Sequence, residues 1–198
     1  SEILDVYDYN SGFHQSWIDR WNLAVSNARE KSDSGVEASI KEFTNALKVE
    51  LSEQEKKALL RVGFSSNLEN SIIDSFGPLK EFKIIKDKGM LKRGIFLRDL
   101  KSRTKNMVQG QFQADFLSLE EARKNVRDFS STPSGAWKRW SLKTRRAIVG
   151  IQSRLLSSNV SINLSESQKL KTEALQNFKP LVRQLNKGEV IVREGEKA

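Results

Sequence analysis

The sequence predicts an α+β domain that is mainly helical and contains a small sheet. Three observations lead to this class. Apolar residues recur at helical spacing, Ser-x-x-Glu caps precede two of these stretches, and short β-competent runs occur near the start, centre and end of the chain. We therefore expect a small sheet formed by the N-terminal strand, the central strands and a C-terminal hairpin. With 198 residues, 37% hydrophobic and 30% charged, one globular domain over residues 1–198 is expected.

The first 80 residues predict one strand followed by a run of helices. Residues 3–9 alternate apolar and polar side chains, as a half-buried strand does. A helix is expected from residue 11 or 12 to about residue 31, with an apolar stripe facing the core. The stripe consists of Phe13, Trp17, Trp21 and either Ala24 or Val25. Further helices are expected at residues 36–49, 53–62 and 67–76. A capping box of Ser52 and Glu55 introduces the second of these.

The middle of the chain changes to β-like patterning near residue 82. Three runs are expected to be extended, at residues 82–85, 94–99 and 106–112. A second capping box, formed by Ser118 and Glu121, should start a helix that reaches Phe129. Beyond a turn-rich loop, apolar residues at helical spacing predict one amphipathic, basic helix over residues 136–156.

Residues 159–198 predict a strand, a helix and a hairpin in that order. The strand is expected at 159–163 and the helix at 166–178. The hairpin consists of β-competent runs at 180–185 and 189–193, separated by the turn-forming sequence Asn-Lys-Gly. We expect the strand at residues 3–9 to pair beside this hairpin, so that the two ends of the chain lie together.

Both ends of the chain resemble a known family. The C-terminal end reads SNVSIN at 158–163, then a helix-like stretch, then KGEVIVREGE at 187–196, and the N-terminal end reads LDVYDY at 4–9 before a long amphipathic helix. These pieces are similar, in order and spacing, to the extracytoplasmic domain of bacterial seven-transmembrane HD phosphodiesterases. The run of short helices at about 34–80 resembles the helical insertion of that family.

The resemblance implies a sensory domain of a larger membrane enzyme. The parent protein would have one membrane helix before this domain, a seven-helix bundle after it, and a cytoplasmic HD domain that hydrolyses cyclic di-AMP. The domain would lie on the extracytoplasmic side of the bacterial membrane, with the membrane-spanning helices of the same chain as its partners. It would transmit the state of a ligand, or of a homodimer, to the HD domain.

The residue types needed for catalysis are missing from the sequence itself. An HD site requires adjacent His and Asp ligands with further histidines, whereas His14 is the only histidine and Gln15 follows it. We expect His14 to be a partly exposed helix residue. The absence of cysteine leaves a zinc site without its usual ligands, and neither a glycine-rich phosphate loop nor a nucleophile elbow occurs. We therefore expect no catalytic residue, no metal and no cofactor in this chain. No apolar run approaches the roughly 18 to 20 residues that span a bilayer.

The net charge of +9 lies in the second part of the chain. Residues 1–70 hold 8 basic and 12 acidic side chains, whereas residues 71–198 hold 26 and 13. The basic helix contributes Arg139, Arg145 and Arg146, which we predict to contact a small anionic ligand or anionic lipid. A solvated basic surface without a ligand is the open alternative.

Two other functions compete with the sensory one. A pI near 9.8 and aromatic residues within the basic half are compatible with a nucleic-acid-binding module, although no helix-turn-helix, RNP-type or zinc-finger signature occurs. Nucleic acid is therefore the less favoured partner. A stand-alone scaffold or interaction domain is the third hypothesis.

Overall fold

This computed structural model describes residues 4–108 and 114–177 of the chain. Its strands are Val6–Tyr9 (β1), Lys83–Ile85 (β2), Ile95–Asp99 (β3), Lys105–Val108 (β4), Phe116–Ser118 (β5) and Val160–Ile162 (β6). Its α-helices are Phe13–Glu30 (α1), Val36–Leu47 (α2), Glu53–Val62 (α3), Ser66–Phe76 (α4), Leu119–Asp128 (α5), Leu142–Leu155 (α6) and Leu164–Gln176 (α7). The α+β class and its mainly helical character are confirmed.

The strands form two small sheets. Strand β1 lies inside the larger sheet, whose order is β4-β3-β1-β6, parallel to β3 and antiparallel to β6. The second sheet pairs β2 with β5 in parallel. The first two of the three predicted central runs, now β2 and β3, therefore belong to different sheets. The C-terminal hairpin predicted for residues 180–193, and its pairing with the first strand, lie outside the described residues.

The helices enclose a large apolar core centred on Trp21. This side chain is fully buried, its indole Nε1 donates to the carbonyl oxygen of Leu68 at 2.8 Å, and its ring meets Phe43 edge-on at a centroid distance of 5.4 Å. Trp17, also in the predicted stripe of α1, is 3% exposed. The prediction that the stripe faces the core is confirmed. A separate, smaller core covers the strands and includes Leu97 and Phe116.

Both predicted capping boxes are present and set the starts of α3 and α5. The Ser52 hydroxyl accepts from the backbone N–H of Glu55, and the Glu55 carboxylate accepts from the backbone N–H of Ser52 at 2.8 Å. Ser118 and Glu121 repeat this exchange. Each helix therefore begins at the residue that follows its predicted cap.

The single helix predicted over residues 136–156 is wrong. Residues Gly135–Arg139 form a 3₁₀-helix, Trp140 is extended, and Ser141 then caps α6 by accepting from the N–H of Thr144 at 3.2 Å. The side chain of Trp137 is fully buried and donates to the carbonyl oxygen of Ser71 at 3.2 Å. This contact with α4, together with the Ser141 cap, overrides the helical spacing of the apolar residues.

Candidate functional site

The first strand is bonded directly to the start of the last described helix. The backbone N–H of Val6 donates to the hydroxyl of Ser167 at 2.9 Å, and the N–H of Asn163 donates to the carbonyl oxygen of Val6 at 2.7 Å. Ser167 is 3% exposed, so these bonds are shielded from water. An exposed ion pair between Lys171 and Asp5, at 2.7 Å, extends the contact along α7. Movement of α7 is therefore coupled to β1.

One carboxylate links two strands and this helix. Arg98 of β3 donates through Nε and Nη2 to the two oxygens of Asp8 on β1, at 2.8 and 3.0 Å. The Asn163 side chain donates to the same carboxylate at 2.9 Å, and its oxygen accepts from the N–H of Glu166 as the cap of α7. The Asp8 side chain is 18% exposed. Bidentate pairs of this type fix orientation as well as adding energy.

Asn159 joins the two sheets immediately before β6. Its side-chain oxygen accepts from the N–H of Ile84 at 2.7 Å, and its own N–H donates to the Ile84 carbonyl oxygen at 3.0 Å. Its carbonyl oxygen accepts from the N–H of Asn10, just after β1, at 2.9 Å. We call the group of Asp8, Arg98, Asn159, Asn163 and Ser167 the strand junction. It connects β1, β3, the second sheet and α7 through hydrogen bonds.

The three predicted anion contacts occupy different environments. Arg145 is half-buried and donates to the carbonyl oxygens of Ser130 and Trp140, at 2.9 and 3.0 Å, which fastens the loop before α6. Arg139 is exposed on the 3₁₀-helix. Arg146 is exposed on α6 and lines a cavity of about 650 Å³, whose lining includes neither of the other two arginines. Anion binding by these residues stays a prediction.

A second basic cavity unites residues that the sequence keeps far apart. Its volume is about 580 Å³, and it lies where the end of α2, the exposed face of α5 and the end of α6 meet. The cations in its lining are Lys48, Arg123, Arg127 and Arg154. Sequence reasoning missed it because these residues come from three separate elements. The concentration of charge in residues 71–198 was the only available signal, and it does not indicate Lys48.

Arg154, one of the lining cations, belongs to a structural ion pair. Arg154 donates to the carboxylate of Glu55 at 2.8 Å, and the Glu55 side chain is only 10% exposed. Burial raises the pKa of the Glu55 carboxyl, but the hydrogen bonds from Arg154 and Ser52 outweigh burial and lower that pKa below its usual value. Glu55 is therefore a charged link between α3 and α6.

The model of the 7TM-HD extracellular family matches residues 1–197 of this chain. The chain belongs to the 7TM-HD extracellular family. The resemblance seen at its two ends is thereby confirmed. Comparisons with curated proteins and with solved structures found no match.

Within this 7TM-HD extracellular domain, His14 lies near the start of α1 and is half-buried. Its Nε2 is 3.0 Å from the carbonyl oxygen of Phe76, which gives the ring a structural partner. Across residues 4–108 and 114–177, no three His, Cys, Asp or Glu side chains come together as metal ligands. In the same part of the chain, no helix has both the length and the apolar character needed to cross a membrane.

Proposed function

We propose that this domain is the sensory part of a membrane-bound cyclic di-AMP phosphodiesterase. It is non-catalytic itself and lies on the extracytoplasmic side of the bacterial membrane. It transmits the state of a ligand or of a homodimer to a cytoplasmic HD domain, through the membrane-spanning helices of the same chain. Family membership supports the extracellular placement. Nucleic-acid binding is the less supported alternative, because it rests on charge and aromatic content alone.

The strand junction is the observation that carries the sensory role. The first strand and the last described helix are separated by more than 150 residues, yet they share the Asp8 carboxylate and the buried Ser167 hydroxyl. A displacement of either element therefore changes the position of the other. They are the first and the last elements that the structure describes, and in the proposed parent protein the chain continues from them toward the membrane segments on either side.

The hydrogen bonds of the strand junction have energies comparable to those through which ligands act on proteins. A typical intramolecular hydrogen bond contributes about 0.5–1.5 kcal/mol, and one to a charged group about 1.5–3 kcal/mol. Allosteric coupling energies are typically about 1–3 kcal/mol. Exchange of one or two bonds at Asp8 is thus sufficient to separate two arrangements of β1 and α7. A ligand shifts their balance only by its differential affinity for the two.

Turnover of cyclic di-AMP by the full-length parent protein tests this function. We expect deletion of this domain, and separately Arg98→Gln, to change the rate or its response to added ligands. Arg103→Gln is the matched control, because Arg103 is an exposed arginine on a nearby turn with no ion pair among the described residues. Unchanged turnover after deletion, under every condition, would contradict the regulatory role. Failure of the intact protein to hydrolyse cyclic di-AMP would contradict the substrate.

Sedimentation of the isolated chain tests the homodimer. The expected result is a reversible monomer–dimer equilibrium that shifts with concentration. A monomer at all accessible concentrations would leave ligand binding as the only proposed input.

A further inference from the structure

Two of the four cations that line the basic cavity between α2, α5 and α6 form no ion pair or side-chain hydrogen bond among the described residues. Arg154 is paired with Glu55, and Arg123 is paired with Glu120 at 3.0 Å. The side chains of Lys48 and Arg127 make no hydrogen bond or ion pair with any other residue that the structure describes, yet both line the cavity. Two positive charges are therefore free to meet an anion.

The backbone at Lys48 supports a role for its side chain. Lys48 ends α2 in the left-handed conformation, with φ 53° and ψ 44°. Glycine is favoured at this position of a helix C-terminus, because a Cβ is disfavoured there. Lys48 adopts this conformation in spite of its cost, and its side chain lines the cavity.

The guanidinium of Arg123 is incompletely satisfied. Its Nε is buried and has no hydrogen-bond partner among the described residues. Buried donors of this kind are rare, because they have lost water without gaining an acceptor. An anion that draws the guanidinium toward the cavity would give this nitrogen access to an acceptor.

We propose that this cavity binds a small anion with two or more phosphate or carboxylate groups. Arginine side chains recognise both groups through paired N–H donors, and lysine adds a point charge. The volume of about 580 Å³ falls in the range of small-molecule sites, roughly 300–1,000 Å³, and exceeds what a single phosphate fills. The proposal deepens the sensory function and rests on it, since it supplies the input.

The cavity is also close in the chain to the strand junction. The Nη2 of Arg123 lies 3.5 Å from the carbonyl oxygen of Leu156, at the end of α6. Three residues later, Asn159 bonds both to Ile84 and to Asn10. An anion that repositions Arg123 therefore acts on the segment that leads into β6 and α7.

Calorimetric titration with pyrophosphate and with citrate, at about 50 mM salt, tests the site. We expect Lys48→Ala and Arg127→Ala each to weaken binding about tenfold, because each removes a charged contact. Lys124→Ala is the matched control, since Lys124 is an exposed cation of α5 outside the lining, and its effect should stay within about twofold. Glu120→Gln should strengthen binding, because it removes a carboxylate from the lining. Unchanged thermal unfolding of each variant confirms that the fold is intact.

Anionic vesicles of phosphatidylglycerol in phosphatidylcholine provide a second arm with the same variants. Binding of pyrophosphate or citrate that depends on Arg127 but not on Lys124 assigns a soluble anion. Vesicle binding with the same dependence, without heat from the soluble probes, contradicts a small polyanion and assigns the site to lipid phosphate. Absence of binding in both arms, or equal losses in Arg127→Ala and Lys124→Ala, overturns the site. None of these readouts uses phosphodiesterase turnover, so failure of the site is distinguishable from failure of the sensory function.

Discussion

The helices packed around Trp21, which we call the helical layer, and the strand junction are held together by different forces. Around Trp21 and Phe43 the helices bury large rings, with edge-on contacts at 5.4 Å. At the junction a few hydrogen bonds converge on Asp8 and Ser167, and α7 itself is mostly exposed, with Leu164 at 63% and Leu175 at 74%. Apolar packing loses much energy when it is displaced, whereas polar partners can be exchanged at small cost. The difference assigns rigidity to the helices and adjustability to the junction.

Removing the central ring of the helical layer should have the largest effect. We expect Trp21→Ala to lower the free energy of unfolding by about 3–5 kcal/mol, because it removes a fully buried ring and leaves a cavity. Denaturant unfolding measures the change. Leu23→Ala is the control on the same helix, and its 59% exposure predicts a loss below about 0.5 kcal/mol. Equal losses of unfolding free energy in the two variants would contradict the idea that buried ring packing makes the helical layer rigid.

The Glu55–Arg154 pair tests a charged link inside the helical layer. Arg154→Met leaves a buried carboxylate without its partner, and breaking such a pair costs about 3–5 kcal/mol when it is fully buried. Because the Arg154 side chain is 41% exposed and screened by water, we expect about 1–2 kcal/mol. Denaturant unfolding at pH 7 provides the measurement. A loss as large as that of Trp21→Ala would show that the layer is not held mainly by apolar packing.

A variant in the strand junction should destabilise α7 locally, whereas a variant in the apolar core destabilises the whole domain. Asn163→Ala removes the cap of α7 and the bond to Asp8, so we expect α7 to open more easily by about 1–2 kcal/mol. Amide hydrogen exchange should accelerate in α7 with little change in the exchange of α1 amides. Gln168→Ala, at an exposed site on the same helix, should leave both unchanged. Uniform acceleration across α1 and α7 would contradict an independently adjustable junction.

The cap of α5 gives the smallest expected effect and a defined pH window. Hydrogen bonds from Lys88 and from the Ser118 backbone lower the pKa of Glu121 to about 2, against a usual value of 4.5. Because the folded-state pKa is depressed, the stabilisation is present above about pH 4.5 and is lost as the pH falls toward 2. The Glu121 side chain is 48% exposed, so we expect Glu121→Gln to cost only about 1 kcal/mol at pH 7.

The unfolding free energies of wild type and Glu121→Gln should converge as the pH is lowered through that window. Glu120→Gln serves as the neighbouring control and should differ less from wild type at pH 7, because Glu120 takes no part in the capping box and its side chain is 75% exposed. A difference between wild type and Glu121→Gln that persists at pH 2 would contradict the assigned cause.

Local sequence signals predicted much of the helical layer. They did not predict the tertiary contacts that change it. The capping boxes at Ser52 and Ser118 are sequence motifs, and α3 and α5 begin where those motifs place them. The break before α6 depends on the Ser141 cap, which is a local signal, and on the contact between Trp137 and Ser71, which no local pattern reveals. The helical spacing of the apolar residues alone was therefore misleading there.

The sites depend on residues that are distant in the chain. Asp8 meets Arg98 and Asn163 only because β1 lies between β3 and β6, and strand order is not encoded in any single segment. The charge count located positive residues but could not bring Lys48 to Arg127 across two helices. The match at the chain ends identified the family because it rests on motif order, which does not require the fold to be known.

The central position of β1 also determines when it can fold during synthesis. Its two neighbours in the sheet are separated from it by roughly 90 and 155 residues, as the pairs Asp8–Arg98 and Tyr7–Ile162 show. The first strand to leave the ribosome therefore waits for about half of the domain before β3 is available and for most of it before β6 is, while α1 and α2 can pack on each other early. An unpaired β1 during that interval offers free N–H and C=O groups with which another chain can pair.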